Sequence, residues 1–102
     1  MGGRAAGPAG RLSGVSDALV YLLRCADGTL YCGWTNDLDR RLAAHQAGTA
    51  SRYTRTRLPV ELAWSRPVGS RSAAMREEAR IKRLPRAAKD ELVRGGHPSA
   101  PA

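Results

Sequence analysis

The feature that most constrains the fold is the segment LVYLLRCADGTLYCGW at residues 19–34. Two short apolar runs rich in β-forming residues, 19–25 and 29–34, flank the dipeptide Asp27-Gly28. Asp-Gly between two such runs is a strong signal for a tight β-hairpin. The sequence therefore predicts two antiparallel strands joined by a short loop.

The length of that loop decides whether Tyr21 and Tyr31 lie on the same face. A two-residue type I′ loop pairs Tyr21 with Trp34 and places the two tyrosines on opposite faces. A three-residue loop, with Gly28 left-handed in a G1 bulge, pairs Leu23 with Tyr31 and places both tyrosines on one face. The segment ADGT fits either loop, so the bulged form is required only if the tyrosines act together.

A helix is predicted directly after the hairpin, in TNDLDRRLAAHQAG at residues 35–48. Asn36 is the expected N-cap, and Gly48 is expected to end the helix. Leu38 and Leu42 lie four residues apart and are expected to face the core. Beside them, Arg41 and His45 share a second stripe, whereas Arg40 is expected to point into solvent.

The rest of the chain predicts four segments: a polar, basic loop at 49–58, a third strand with alternating apolar residues at 60–64, a helix at 69–84 and a short helix at 86–94. Ser70 or Ser72 caps the longer helix, and Pro85 ends it. This order predicts an α+β fold, with a small three-stranded antiparallel sheet flanked by helices. One domain is expected at 17–94, between disordered tails at 1–16 and 95–102.

The net charge of +8 on 102 residues predicts a polyanionic partner, most often nucleic acid. No specific protein partner is indicated. The sequence has no apolar run of membrane-spanning length and no secretory signal, and Cys25 and Cys32 do not form a CxxC pair. These features favour a cytoplasmic protein with reduced thiols.

Several short motifs occur in a fixed order along the predicted domain. They are LVY at 19–21, YCG at 31–33, Arg41 ten residues after the second tyrosine, His45 one turn later, SRYTR at 51–55 and REEARIK at 76–82. The ordered set resembles the GIY-YIG endonuclease family, and in particular its small single-domain bacterial members. LVY keeps only the tyrosine of the first family tripeptide, which is the residue that carries chemistry.

The resemblance implies a metal-dependent endonuclease that hydrolyses phosphodiester bonds in DNA, with magnesium or manganese as cofactor. It implies a catalytic set of Tyr21, Tyr31, Arg41, His45 and Glu78. Glu78 matches the family's metal ligand, because it precedes Ile81 by three residues, although helical periodicity alone leaves Glu77 equally open. A single carboxylate suffices for Mg²⁺, which keeps several of its waters.

The remaining members of the set suit the steps of phosphodiester hydrolysis. The guanidinium of Arg41 suits a phosphate oxygen, and Tyr31 can bond the attacking water or the phosphate. Tyr21 can serve as general base only if the pKa of its phenol falls below its usual value of about 10. His45 could take the proton of Tyr21 or hold the phosphate.

Other residues are expected to contact nucleic acid directly. A basic loop with an aromatic residue can clamp a backbone and stack on a base, and Gly33 is expected to let the backbone after it approach the substrate. The predicted contacts are Gly33, Thr35, Arg52, Tyr53, Arg55, Arg57 and Lys82.

The sequence shows no added domain that would read a long recognition site. Structure-selective or weakly sequence-specific cleavage is therefore expected, with a role in DNA repair or recombination, and RNA stays open as a substrate. Two other functions fit the same features. One is a non-catalytic nucleic-acid-binding module on the same fold, and the other is a small basic protein that binds an acidic protein.

Overall fold

A computed structural model of the chain describes residues 18–95. Within that range it contains three strands and four helices: β1 (Leu19–Arg24), β2 (Leu30–Thr35), α1 (Leu38–Gln46), α2 (Arg52–Arg55), β3 (Glu61–Pro67), α3 (Arg71–Lys82) and α4 (Arg86–Gly95). The predicted tail at 1–16 lies outside the described residues, as does the predicted tail at 95–102 apart from Gly95, which ends α4.

The strands form one antiparallel sheet in the order β2-β1-β3, which confirms the predicted α+β fold. In the hairpin, Leu23 pairs with Tyr31 and Tyr21 pairs with Gly33. This is the register of the three-residue loop, so both tyrosines lie on one face. The turn closes through a 2.9 Å bond from the Gly28 amide to the Cys25 carbonyl, and Gly28 has a φ of +86°.

Helices cover both faces of the sheet and create two hydrophobic clusters. One cluster joins the sheet to α3 and α4, and its fully buried members are Val20, Leu22, Ala74 and Ile81. The other contains Tyr21, Leu23, Cys25 and Val60, with Leu38 and Leu42 of α1 packed against it. The central strand β1 therefore contributes to both clusters, and its four middle residues are all buried.

The third strand begins at Glu61 rather than at the predicted Val60, and it continues to Pro67. Its pairing with β1 shifts between Leu62 and Trp64, because Leu23 pairs with the former and Leu22 with the latter. Val60 and Trp64 consequently pack into different clusters, although simple alternation would place them on one face. Leu62 is 40% exposed.

Of two predictions about helix starts, one needs correction and one is confirmed. The N-cap of α1 is Asp37 rather than Asn36, and its side chain accepts a bond from the Arg40 amide. The hydroxyl of Thr35 accepts from the amide of Asp37, which forms a tight turn and delays the helix by one residue. The cap of α3 is Ser70, one of the two serines predicted.

The segment predicted as a basic loop contains the short helix α2. Ser51 caps it by accepting a bond from the amide of Thr54. Thr54 is the buried residue of this helix, whereas Arg52 and Arg55 are exposed. The turn of helix thus presents its basic side chains to solvent and a threonine to the interior.

Cys25 and Cys32 are both buried and free of a disulfide. Of the helices in residues 18–95, none has the length and apolar character needed to cross a bilayer.

We expect Gly28→Ala to lower the free energy of unfolding by about 1–2 kcal/mol, because an L residue is strained at positive φ. Gly95→Ala is the matched control. A Cβ meets nothing within 4 Å at either position, but of these two glycines only Gly28 has a positive φ. Urea unfolding of the two variants checks the prediction, and equal midpoints would contradict it.

Candidate active site

The side chain of Tyr21 crosses its neighbouring strand at Gly33. The two residues are paired across the hairpin, and a Cβ at position 33 would stand 2.6 Å from the Tyr21 hydroxyl and 2.7 Å from its Cζ. A Cβ essentially never lies within 3.0 Å of a non-bonded heavy atom, so the path of the ring requires glycine here. Gly33 was predicted to admit substrate, and the structure adds this second reason for it.

The tyrosine hydroxyl ends beside His45, in the last turn of α1. The Tyr21 hydroxyl lies 2.9 Å from Nε2 of the imidazole, and the two groups are 2% and 1% exposed. Tyr31 packs its ring edge-on against the same imidazole, with centroids 5.4 Å apart. The bulged hairpin places Tyr21 and Tyr31 on one face, and α1 places His45 against both of them.

An open cleft of about 270 Å³ lies at the free edge of β2, where residues from both faces of the sheet meet. The lining residues are Tyr21, Tyr31, Gly33, Trp34, Thr35, Asn36, Arg41 and Glu78. Tyr21, Tyr31 and Arg41 come from the hairpin and α1, whereas Glu78 comes from α3 on the opposite face. Arg41 and Glu78 bring opposite charges to one cleft, beside two phenol groups.

The structure distinguishes the two adjacent glutamates of α3. Glu77 is paired with Arg66 of β3 and with Arg80, outside the cleft lining. These partners hold the pKa of its carboxyl below the usual range, with the hydrogen bonds from Arg80 as the main cause. Glu78 lines the cleft, and its carboxylate lies 3.4 Å from Nζ of Lys82. The carboxylate available to the cleft is therefore that of Glu78.

The protonation states of Tyr21 and His45 follow from burial. Burial, followed by the charges of Tyr31 and Glu78, raises the pKa of Tyr21 far above its usual value, and Arg41 opposes this only in part. In the protein alone, the lowered phenol pKa that a free-standing general base would require is therefore not met. Burial, and then the nearby Arg41, lower the pKa of His45, so its imidazole is neutral at neutral pH.

The basic side chains of segment 51–57 differ in the contacts that they make within the protein. Arg57 pairs with Asp27 at 3.0 Å and lies over the ring of Tyr53, 3.8 Å from its centroid. Tyr53 also stacks with Tyr31, with centroids 5.7 Å apart. Base stacking on Tyr53 would thus compete with Arg57, whereas Arg52 and Arg55 project into solvent.

Two other predicted contacts have structural partners. Thr35 lines the cleft, but its hydroxyl bonds the backbone of Asp37, so it positions the start of α1. Lys82 is exposed and paired with Glu78. A second cavity, of about 340 Å³, adjoins the cleft through Thr35 and Arg41 and extends along α1 to Arg40.

Three residues near the site were missed by the sequence reasoning. Trp34 and Asn36 line the cleft, and Thr54 bonds the second nitrogen of His45 at 2.9 Å. Trp34 and Asn36 could have been found by their position between the YCG motif and α1. Nothing in the sequence indicated a role for Thr54 beyond its position next to Tyr53.

The donor atoms of the cleft fit a hard divalent cation. Among residues 18–95 there is no group of three or more His, Cys, Asp or Glu side chains that could hold a metal ion. Mg²⁺ needs fewer, because it commonly binds one or two carboxylates and keeps its remaining waters. Glu78 supplies one carboxylate to an open, polar cleft, where such an ion could keep its waters.

Comparison with known proteins identifies the family. A family model described as the GIY-YIG catalytic domain matches residues 17–91, so the chain belongs to the GIY-YIG family. This membership confirms the resemblance found in the sequence and places the chain in a family of nuclease domains.

Three similar proteins illustrate the match, and each is named a UPF0213 protein. One from Natronomonas pharaonis is 51% identical over 78 residues, which cover 76% of this chain and 92% of that protein. Another, from Nitratidesulfovibrio vulgaris, is 50% identical over 92 residues, with 81% and 84% covered. A UPF0213 protein from Bacillus halodurans, solved by solution NMR, is 42% identical with a TM-score of 0.49, and the match covers 74% of this chain and 81% of that one.

We expect Gly33→Ala to destabilise the fold by about 1–3 kcal/mol, because its Cβ overlaps the buried ring of Tyr21. The same substitution should cost less in a Tyr21→Leu background, where the ring is gone. A double-mutant cycle of unfolding free energies checks this coupling. Equal costs of Gly33→Ala in the two backgrounds would show that the ring does not lie across position 33.

Proposed function

We propose that this protein is a metal-dependent endonuclease that hydrolyses phosphodiester bonds in DNA. The observation that carries the proposal is the convergence of Tyr21, Arg41 and Glu78 on one open cleft, with His45 hydrogen-bonded behind Tyr21. A phosphate-binding cation, a metal-binding carboxylate and a proton-transfer pair are the groups that phosphodiester hydrolysis needs. The family to which the chain belongs supports the same reaction.

Arg41 is proposed to bind the scissile phosphate. Its guanidinium donates in a planar fork that matches phosphate oxygens. It lines both the cleft and the adjoining cavity, where a bound backbone would pass. Negative charge that develops on the phosphate in the transition state would strengthen this contact.

Tyr21 is proposed to accept the proton of the attacking water. Because burial raises the pKa of its phenol, Tyr21 cannot be ionised in advance at neutral pH and must lose its own proton during the reaction. Nε2 of His45 lies 2.9 Å from the phenol oxygen, within direct transfer distance. The neutral imidazole is thus the group that takes this proton, while Tyr31 hydrogen-bonds the water or the phosphate.

Glu78 is proposed as the protein ligand of a magnesium or manganese ion. Such an ion, when bound, polarises the phosphate and stabilises the leaving oxygen. Glu78 must then exchange its contact with Lys82, which is exposed and can turn toward the nucleic-acid backbone. Arg52 and Arg55, which are exposed on α2, are proposed to bind the nucleic-acid backbone as well. The other proposed contacts to nucleic acid are Gly33, Thr35, Tyr53 and Arg57.

The proposed substrate preference follows from the shape and charge of the site. The cleft is open, and the cations at it and beside it, Arg41, Arg40 and Lys82, suit contacts to a phosphate backbone, which position a nucleic acid but do not read bases. Structure-selective or weakly sequence-specific cleavage is therefore proposed, in DNA repair or recombination in the cytoplasm. RNA is a second substrate for the assay described next.

We expect Glu78→Gln to abolish metal-dependent cleavage, and Glu77→Gln to retain most of it. The two variants make the same chemical change at adjacent positions, but only Glu78 lines the cleft. Labelled single-stranded, duplex and branched DNA, together with RNA, would be incubated with magnesium, manganese or chelator. The melting temperatures of both variants control for folding, since Glu77→Gln removes ion pairs to Arg66 and Arg80.

The assay also separates the nuclease from a non-catalytic binding module. Loss of activity in both variants at equal folded fraction would contradict the assignment of Glu78. Salt-sensitive binding without cleavage by the unmodified protein, and unchanged in Glu78→Gln, would overturn the nuclease and favour the module.

A further inference from the structure

The hydroxyl of Thr54 is buried against the side of His45 that faces away from Tyr21. Thr54 is fully buried, and its Oγ1 lies 2.9 Å from Nδ1 of the imidazole, while Nε2 faces the phenol. Both ring nitrogens therefore have one partner each in the interior. A buried polar group is costly unless it is hydrogen-bonded, so these partners determine which nitrogen carries the proton.

A third contact determines which group donates in each of these hydrogen bonds. Oγ1 of Thr54 also lies 3.4 Å from the carbonyl oxygen of Ser51, which can only accept. When Thr54 donates to Ser51, it accepts from Nδ1–H of His45, and the lone pair of Nε2 accepts from Tyr21. Each donor in this order has an acceptor. In the reverse order, Nε2–H donates to Tyr21, and the phenol proton has no acceptor among these four groups.

We propose that Thr54 is a positioning residue that holds His45 in the Nδ1–H tautomer, with the Nε2 lone pair directed at the hydroxyl of Tyr21. The imidazole must be neutral for this choice to exist, and burial beside Arg41 keeps it so. The tautomer itself depends only on the hydrogen bonds. Its consequence for catalysis rests on the nuclease function proposed above.

The tautomer matters because only one form can take the phenol proton. In the Nδ1–H form, the O–H bond of Tyr21 breaks and an N–H bond forms at Nε2, while Nδ1 keeps its proton and continues to donate to Thr54. The phenolate then takes a proton from the attacking water, whose oxygen bonds to phosphorus as the bond to the leaving oxygen breaks, and the leaving oxygen takes up a proton from solvent. The proton on His45 leaves to solvent before the next cycle.

The test compares variants that keep or remove the hydroxyl at position 54. Thr54→Val preserves the shape and removes the hydroxyl, whereas Thr54→Ser keeps it. Thr49→Val is the matched control, because Thr49 is exposed and its hydroxyl bonds the carbonyl of Ala44 at the surface. Long-range ¹⁵N–¹H NMR of the imidazoles reports the tautomer without any substrate, and a His97→Gln variant assigns the signals of His45.

The unmodified protein, Thr54→Ser and Thr49→Val should all show a protonated Nδ1 and an unprotonated Nε2. Thr54→Val should lose this single tautomer and show a mixture of the two. Its kcat should fall by about 10- to 100-fold, the range typical when the partner that orients a metal-binding imidazole is removed. Its KM should stay within about twofold, because Thr54 does not line the cleft.

Several results would overturn the proposal. They are an Nε2–H tautomer in the unmodified protein, an unchanged tautomer in Thr54→Val, or an altered tautomer with unchanged kcat. The first of these needs no substitution at position 54, so misfolding of Thr54→Val cannot hide it. Absence of cleavage by the unmodified protein would instead overturn the proposed nuclease, and the tautomer spectra would still decide whether Thr54 orients His45.

Discussion

The site depends on one packing constraint, which is the passage of the Tyr21 side chain across Gly33. The bulged loop at Gly28 sets the register that pairs the two residues, and the missing Cβ leaves room for the ring. From there the hydroxyl reaches His45 and the cleft at the edge of β2. A shift of one residue in this register would move Tyr31 to the other face and separate it from His45.

Three polar side chains of the site lie inside the core and not at its surface. Tyr21, His45 and Thr54 are at most 2% exposed, and each is hydrogen-bonded to the next. A buried polar chain of this kind is tolerated because its members satisfy one another, and it fixes side-chain positions more firmly than apolar contacts would. Arg41 and Glu78, by contrast, lie at the rim of the core, where solvent and a charged substrate can reach them.

Much of the fold was predictable because its signals are local. The Asp27-Gly28 dipeptide, the leucine spacing of α1 and the serine cap of α3 each predicted an element that the structure confirms. The errors arose where a neighbouring side chain or strand decided the outcome. Thr35 moved the cap of α1 to Asp37, and the irregular pairing of β3 placed Val60 and Trp64 on different faces.

The candidate site was predictable only in part, for the same reason. The order and spacing of the motifs indicated Tyr21, Tyr31 and Arg41, which line one cleft, and His45, which is hydrogen-bonded behind Tyr21. Helical periodicity could not show which of Glu77 and Glu78 serves the cleft, because the answer depends on the ion pair between Glu77 and Arg66 of β3. Thr54 was equally hidden, since its partner is nine residues away on another helix.

The central claim is that the hydroxyl of Tyr21 takes part in the chemical step. The most direct test is the single-turnover cleavage rate of Tyr21→Phe at saturating DNA and metal, because this variant removes one oxygen and keeps the ring. The account predicts a rate at least about 100-fold below that of the unmodified protein, with DNA affinity unchanged. A rate within about threefold of the unmodified protein would show that Tyr21 is only a structural residue.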